Sequence, residues 1–298
     1  MKKKIRRILR VSFIVVVVTF LFTTALVSDQ VAKTPTYREG NGPPRKCRFN
    51  LELKGGRSYW RLRDFDLSKT SFEKHAAEFG YGVDVKELKK SSFWGLVLSL
   101  DFDLANLHKI GLCTGFRYFP GGSYRQNLNF SSMTLFDKLD LSAYAIPLEL
   151  YYKIPAGEKF FVKLSGGIEY YRMSIDNDST FDSHIKTFFW RGKFKDSGIG
   201  GFISLGGEIF IKKTISLTFE GGYSLAKFDN FTGELLNHMG ERSELLLVMA
   251  GDNYNGEVLS LHPASEPLPK GMRPVEIDLS GLRFSLGFKI TLASKNIR

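Results

Sequence analysis

LSAYAIPLELYYKI (residues 141–154) is followed, after the short link Pro155-Ala-Gly-Glu-Lys159, by FFVKLSGGIEYY (160–171). In the first run Tyr144, Ile146, Leu148, Leu150 and Tyr152 fall on one face, with Pro147, Glu149, Tyr151 and Lys153 on the other. In the second, Phe160, Val162, Leu164, Ile168 and Tyr170 oppose Lys163, Ser165, Gly167 and Glu169. Successive side chains of a strand point to opposite faces, so a repeat of two residues marks β structure. A short link rich in turn formers makes the pair an antiparallel hairpin.

The pattern extends both ways. WGLVLSLDFDL (94–104) and IGLCTGFRYF (110–119) form a hairpin upstream. Downstream come GFISLGGEIFI (201–211), ISLTFEGGYSL (215–225) and LRFSLGFKITL (282–292), and an opening strand lies near Phe49, Leu51 and Leu53. That makes eight strands. Short connections follow the second, fourth and sixth; long ones follow the first, third, fifth and seventh, over 56–91, 119–138, 173–197 and 229–274. Alternating turn and loop on an even number of antiparallel strands is the signature of a transmembrane β-barrel, since lipid tolerates no unpaired strand edge.

Periodicity does not say which face is outward, and a soluble lipocalin-like barrel would turn the apolar face inward. Three observations favour apolar side chains outside. The polar face carries both signs of charge, Lys163, Glu169, Glu208, Glu220, Arg283 and Lys289, as a packed lumen requires if they pair. Aromatic residues cluster at the ends of the apolar face: Trp94, Tyr118, Tyr144, Tyr170 and Tyr223 near one rim, and Phe49, Phe102, Tyr152, Phe160 and Phe288 near the other, the placing expected at headgroup depth. Third, an export signal precedes the strands. MKKKIRRILR holds six basic residues and no acid, and VSFIVVVVTFLFTTALV (11–27) is uncharged, so residues 1–28 read as a cleaved signal peptide; an uncleaved anchor is the alternative.

The expected fold is all-β: an eight-stranded antiparallel up-and-down transmembrane β-barrel with short periplasmic turns and long extracellular loops. It spans residues 47–293, after an N-terminal linker (29–46) and before a C-terminal tail (294–298). On these strands the chain resembles the small OmpA/OmpX-like outer-membrane barrels of Gram-negative-type bacteria. Ala145–Lys153 and Leu164–Tyr170 are similar to a recurrent hairpin of that family, and Ser285, Gly287, Ile290 and Leu292 resemble its assembly signal. A short basic tail, Ala293–Arg298, stands where that signal has a terminal aromatic. The resemblance implies outer-membrane lipid as the surroundings and the barrel assembly machinery as a partner during insertion.

Composition sets further bounds. Charged residues at 24% exclude a polytopic helical membrane protein and a wholly disordered chain. The net charge of +11 suggests nucleic acid until it is located: six of the 42 basic residues sit in the first ten positions. Without them 36 basic residues face 31 acidic ones, and no nucleic-acid partner is expected. His75, His108, His184, His238 and His262 are scattered without metal-ligand spacing, so no metal or cofactor is expected. Cys113 lies on the third strand and Cys47 precedes the first, and these strands are not neighbours in a meander, which argues against a bridge.

Asp182-Ser183-His184 and His262-Pro-Ala-Ser265 place Ser near His in loops without the strand context of a nucleophile and base. Gly201-Phe-Ile-Ser204-Leu-Gly206 has the wrong spacing for a nucleophile elbow. Thr70-Ser-Phe-Glu73 reads as a capping box opening a short helix that ends near Gly80, and 243–251 and 257–262 as strand extensions or a small lid. The sequence thus points to a non-enzymatic envelope scaffold or surface recognition protein with a closed lumen. The alternatives are a soluble or anchored barrel for an apolar ligand, and a lipid-modifying enzyme.

Overall fold

A computed structural model describes residues 45–60, 62–79, 82–86, 90–104, 108–130, 133–183, 185–251 and 257–297. The signal peptide and most of the linker lie outside the described residues. In chain order the elements are β1 (Arg45–Tyr59), α1 (Arg63–Phe79), β2 (Gly82–Lys86), β3 (Lys90–Asp103), β4 (Lys109–Phe130), β5 (Met133–Pro155), β6 (Phe160–Ser183), β7 (Thr187–Lys212) and β8 (Ile215–Leu225). There follow β9 (Lys227–Phe228), β10 (Thr232–Asn237), β11 (Arg242–Gly251), β12 (Glu257–Pro263), β13 (Met272–Pro274), β14 (Ile277–Asp278) and β15 (Gly281–Ile297).

Pairing closes a ring. β1 pairs β3 on one side and β15 on the other, β3 through β8 pair in sequence, and β8 pairs β15, always antiparallel. No strand of this ring has a free edge along the paired stretch, so its backbone polar groups are satisfied without water. Pro147 brings no N–H to β5, and there the β4–β5 ladder lapses, passing from Thr114↔Leu148 to Arg117↔Ala145. No described helix is long and apolar enough to cross a membrane.

The ring settles the facing that periodicity leaves open: apolar side chains point out. Leu286 is 71% exposed and Leu205 60%, while Lys54, Lys153 and Glu149 are at most 2% exposed. On β15, every second residue from Leu282 to Leu292 is an exposed Leu, Phe or Ile. Ten residue steps at about 3.3 Å, tilted by about 40°, give a belt about 25 Å tall, the height of a bilayer's apolar layer. The soluble alternative with its apolar face inward does not describe this ring.

Beyond the belt the alternation continues with its sense reversed. On β5, outward Tyr144, Ile146 and Leu148 give way to outward Lys138 and Asp140, while inward Glu149 and Lys153 give way to buried Leu139, Leu141, Ala143 and Ala145. β6 reverses at Tyr170-Tyr171 and β7 between Lys195 and Ile199. β4 reaches the same arrangement through a register shift between Phe119 and Gly122, where Gly121 takes φ +65° against the β5 backbone, a conformation that suits glycine.

Residues 119–138 and 173–197 are therefore not loops, as the sequence led us to expect. They are the outer halves of two hairpins, β4 with β5 and β6 with β7. A strand with apolar inside and charge outside has the wrong sense for a lipid-facing strand, so it reads as a polar loop. The outer hairpins enclose a second, apolar core that includes Phe119, Leu141, Met173, Ile175, Phe194, Phe231, Met249 and Ile277.

This outer storey is walled by β2 on β4 and by β10 on β7, continued by β11, β12 and β13. Residues 243–251 and 257–262 thus belong to a hairpin that widens the sheet from β7, rather than to extensions of β8 and β15. α1 covers the edge of β12: backbone N–H groups of Glu257 and Leu259 donate to the hydroxyls of Ser71 (3.0 Å) and Ser68 (3.2 Å). The helix ends at Phe79 as expected but starts at Arg63, seven residues before Thr70. Thr70 is interior, with Oγ1 donating to the Asp66 carbonyl at 2.9 Å, and Asp64 and Asp66 supply the acidic first turn.

Candidate functional site

Inside the belt the inward face of the ring is charged and buried. Lys153 Nζ lies 3.0 Å from Asp101 and 2.7 Å from Glu208; Lys289 Nζ lies 3.0 Å from Asp101 and 3.1 Å from Glu208. The four form an alternating square. Tyr151 OH donates to Asp101 and Ser216 Oγ to Glu208 at 2.7 Å. In a second group Lys163 joins Glu149 and Glu220, each at 2.6 Å, and Lys54 reaches Glu220 at 2.8 Å and Glu52 at 3.6 Å. A third group lies toward the outer storey: Arg283 meets Glu169 at 2.9 Å, Arg117 pairs with Glu169 and reaches Glu149 at 3.5 Å, and Tyr171 OH donates to Glu169.

Among the described residues this network has six cations (Lys54, Arg117, Lys153, Lys163, Arg283, Lys289) and six anions (Glu52, Asp101, Glu149, Glu169, Glu208, Glu220), all buried. Isolated buried charges cost several kcal/mol each, and only a matched set of this kind offsets that cost. Aromatic rings fill the remaining space: Phe202 lies under the guanidiniums of Arg283 (4.7 Å) and Arg117 (5.5 Å), and Tyr151 lies beside Lys163 (4.6 Å). Each of these six carboxylates is buried and lies within ion-pair distance of a lysine or arginine.

The structure gathers Lys163, Glu169, Glu208, Glu220, Arg283 and Lys289 into this network. The sequence reading missed Glu52, Lys54, Asp101, Arg117, Glu149 and Lys153 as members, although each shares the inward parity of its strand. Of the rim aromatics, Trp94, Tyr118 and Tyr144 are register partners across β3, β4 and β5, with Trp94 and Tyr118 centroids 5.8 Å apart. Tyr170 and Tyr223 are each paired beside outward isoleucines, Tyr170 between Ile146 and Ile199 and Tyr223 against Ile203. At the other rim Phe49, Phe102 and Phe288 are exposed, whereas Tyr152 is covered by His108, whose Nδ1 lies 2.7 Å from its hydroxyl.

In the outer storey a single arginine ties separate segments together. Arg273 of β13 makes two contacts to the Asp64 carboxylate of α1 (2.7 and 2.8 Å) and another to Glu257 of β12 (2.6 Å). Asp64 also accepts the Glu276 backbone N–H at 2.6 Å. Hydrogen bonds to Asp64 and Glu257 raise the Arg273 pKa further above its ordinary value. Nearer the tip, burial raises the carboxyl pKa of Asp137 above the usual range against the hydrogen bond from Ser179.

The remaining sequence candidates do not converge. His262 is buried on β12 and Ser265 is exposed in the turn beyond it. Ser183 Oγ donates to the Lys186 carbonyl at 2.8 Å, and Asp182 takes the Thr187 hydroxyl at 2.7 Å. His184, the partner proposed for these two, lies outside the described residues, as does the side chain of His75. His238 sits edge-on to Phe188 at 4.7 Å. Among the described residues no three His, Cys, Asp or Glu side chains gather as a metal site. Cys47 and Cys113 are both free thiols, on the non-adjacent strands β1 and β4.

No family model and no curated protein matches the chain. Among solved structures it is similar to a major outer membrane protein from Thermus thermophilus, at 12% identity and TM-score 0.42, with 81% of this chain and 99% of that one covered. It is also similar to the outer membrane protein OprG from Pseudomonas aeruginosa, at 11% identity and TM-score 0.33, with 87% and 99% covered. A third similar structure is the outer membrane protease OmpT from Escherichia coli, at 10% identity and TM-score 0.31, with 87% and 99% covered.

Proposed function

We propose that this chain is a bacterial outer-membrane protein: an eight-stranded up-and-down barrel that works as an envelope scaffold and surface recognition or adhesion protein. The observation that carries this reading is the sense of the ring, with a belt of exposed Leu, Ile and Phe outside and a neutralised charge network inside. Such a surface is stable in lipid and costly in water. The short turns at 156–159 and 213–214 then face the periplasm and the outer storey faces the exterior. Residues 1–28 act as the cleaved export signal, outer-membrane lipid surrounds the belt, and the barrel assembly machinery inserts it. Trp94, Tyr118, Tyr144, Tyr170 and Tyr223 sit at the outer headgroups.

The lumen is packed with paired side chains and the outer storey is filled by an apolar core, so solute flow is not the activity. No described side-chain cluster supports a reaction either, and function falls to the exterior surface. The test is cell fractionation with heat-modifiable gel migration and planar-bilayer recording. The reading expects an outer-membrane band that shifts on boiling, with no appreciable conductance. Recovery as a soluble periplasmic protein would sink it, and steady conductance would overturn the closed-lumen scaffold in favour of a pore.

A further inference from the structure

We infer that the inward face of the two outer hairpins, beyond α1, is a binding site for a neutral saccharide. This rests on the outer-membrane reading, which places that face outside the cell. Gln126, Asp137, Ser179 and Trp190 are successive register partners across β4, β5, β6 and β7, and so form one cross-strand row. They share the inward parity of Leu139, Ile175 and Phe194, which the storey seals to 3% exposure or less. α1 extends its cover to Tyr124, where Phe65 packs edge-on at 5.4 Å. Past that point Asp137, Ser179, Phe188 and Trp190 are only half-buried.

The two faces of these hairpins differ in chemistry. The outward face is a ladder of exposed ion pairs, Arg191–Asp178 at 3.2 Å and Lys193–Asp176 at 3.0 Å. The inward row has one ionisable group, Asp137, which takes the Ser179 hydroxyl at 2.6 Å; Ser179 also lies 3.1 Å from Asn177 Oδ1. Beside it the rings of Trp190 and Phe188 stack, with centroids 6.4 Å apart and planes 14° apart. An indole face next to a carboxylate and amides suits a pyranose, which offers an apolar C–H face and a rim of hydroxyl donors. A polyanion would meet Asp137 with no cation in the row to answer it; the Lys186 ammonium is occupied over Phe188 at 5.2 Å. A purely apolar ligand would bury Asp137 unanswered.

The experiment uses the full chain refolded in detergent micelles, titrated with hexasaccharides of glucose, mannose and N-acetylglucosamine and followed by tryptophan emission and calorimetry. At least one neutral oligomer is expected to change the emission, and W190F to abolish that change. D137N is expected to weaken calorimetric binding about tenfold or more, the size of losing a charge-assisted hydrogen bond. D176N on the outward face is expected to bind as the parent does. Heat-modifiable migration is checked for every variant, so a folding failure is not read as lost binding.

Binding that survives both W190F and D137N would place the sugar elsewhere and overturn the proposal. So would a response confined to phosphorylated saccharides or to anionic lipid vesicles. Silence from a protein that still migrates as a folded barrel would remove the saccharide and leave the membrane reading standing. A chain that partitions into water without heat-modifiable migration would remove that reading itself.

Discussion

Replacing Glu208 with Gln tests whether the lumen is held by charge balance. The carboxylate faces two ammoniums, Lys153 at 2.7 Å and Lys289 at 3.1 Å, and is 1% exposed. Gln keeps the shape and removes the charge, leaving Asp101 alone between two buried lysines and the network with a surplus of one positive charge. Breaking a buried pair in this way costs about 3–5 kcal/mol. With a urea slope of about 2–3 kcal/mol/M, the unfolding midpoint should fall by about 1–2.5 M. The assay is urea unfolding of the micelle-refolded protein, followed by gel mobility without boiling. The companion variant E208Q/K289M removes the surplus cation and fills its stem volume with an apolar chain. It should recover to within about 1 kcal/mol of the parent, because a buried ion pair adds little beyond a well-packed apolar replacement. A double variant less stable than E208Q would refute the charge-balance reasoning, as would an E208Q midpoint equal to the parent's.

Three further outcomes follow from separate features. Leu286→Arg puts a charge on the belt, where the parent side chain is 71% exposed; it should lower stability in lipid vesicles by about 2–4 kcal/mol if the site lies near mid-bilayer, and a soluble barrel would tolerate it. Arg273→Met leaves the buried Asp64 carboxylate with the Glu276 N–H in place of its guanidinium; with Arg273 itself 38% exposed, the loss should be about 1–2 kcal/mol, seen as faster proteolysis of α1 with unchanged heat-modifiable migration of the ring. Asp137 has a raised pKa when folded, so folding favours its protonated form. Stability should therefore fall as pH rises from the ordinary aspartate range through the raised native value, and Asp137→Asn should remove that fall. An unchanged pH profile would refute the assignment.

The ring was legible because one rule holds along its strands: apolar residues at every second position, facing out. Each of the eight alternating runs became a ring strand, and the short connections after β5 and β7 are turns, the one expected at 105–106 lying outside the described residues. Lumen membership was only half legible. Asp101 and Asp103 look alike in the sequence, and only the ring puts Asp101 among lysines while Asp103 pairs with Arg48 at 3.1 Å at the rim. The outer storey was hidden for a different reason. Segments such as Leu139–Ala145 alternate as regularly as the belt does, but their apolar side chains turn into the core and their polar ones outward, so a test built for lipid passes over them. The start of α1 escaped because its first turn relies on Asp64 and Asp66, whereas the Thr70-to-Glu73 spacing imitates a cap in mid-helix.

In the membrane setting proposed above, the reversal of polarity along β5, β6 and β7 has a consequence for depth. Sinking by two residues would carry Arg172 to the depth of Tyr170 and draw Asp140 and Lys195 toward hydrocarbon, while rising by two would lift Tyr144, Tyr170 and Ile199 toward water. Both displacements are uphill, so each strand carries its own waterline. Three such marks on adjacent strands fix tilt as well as depth. Whatever the outer face binds, it is held at a constant height above the lipid, and without a rigid tether.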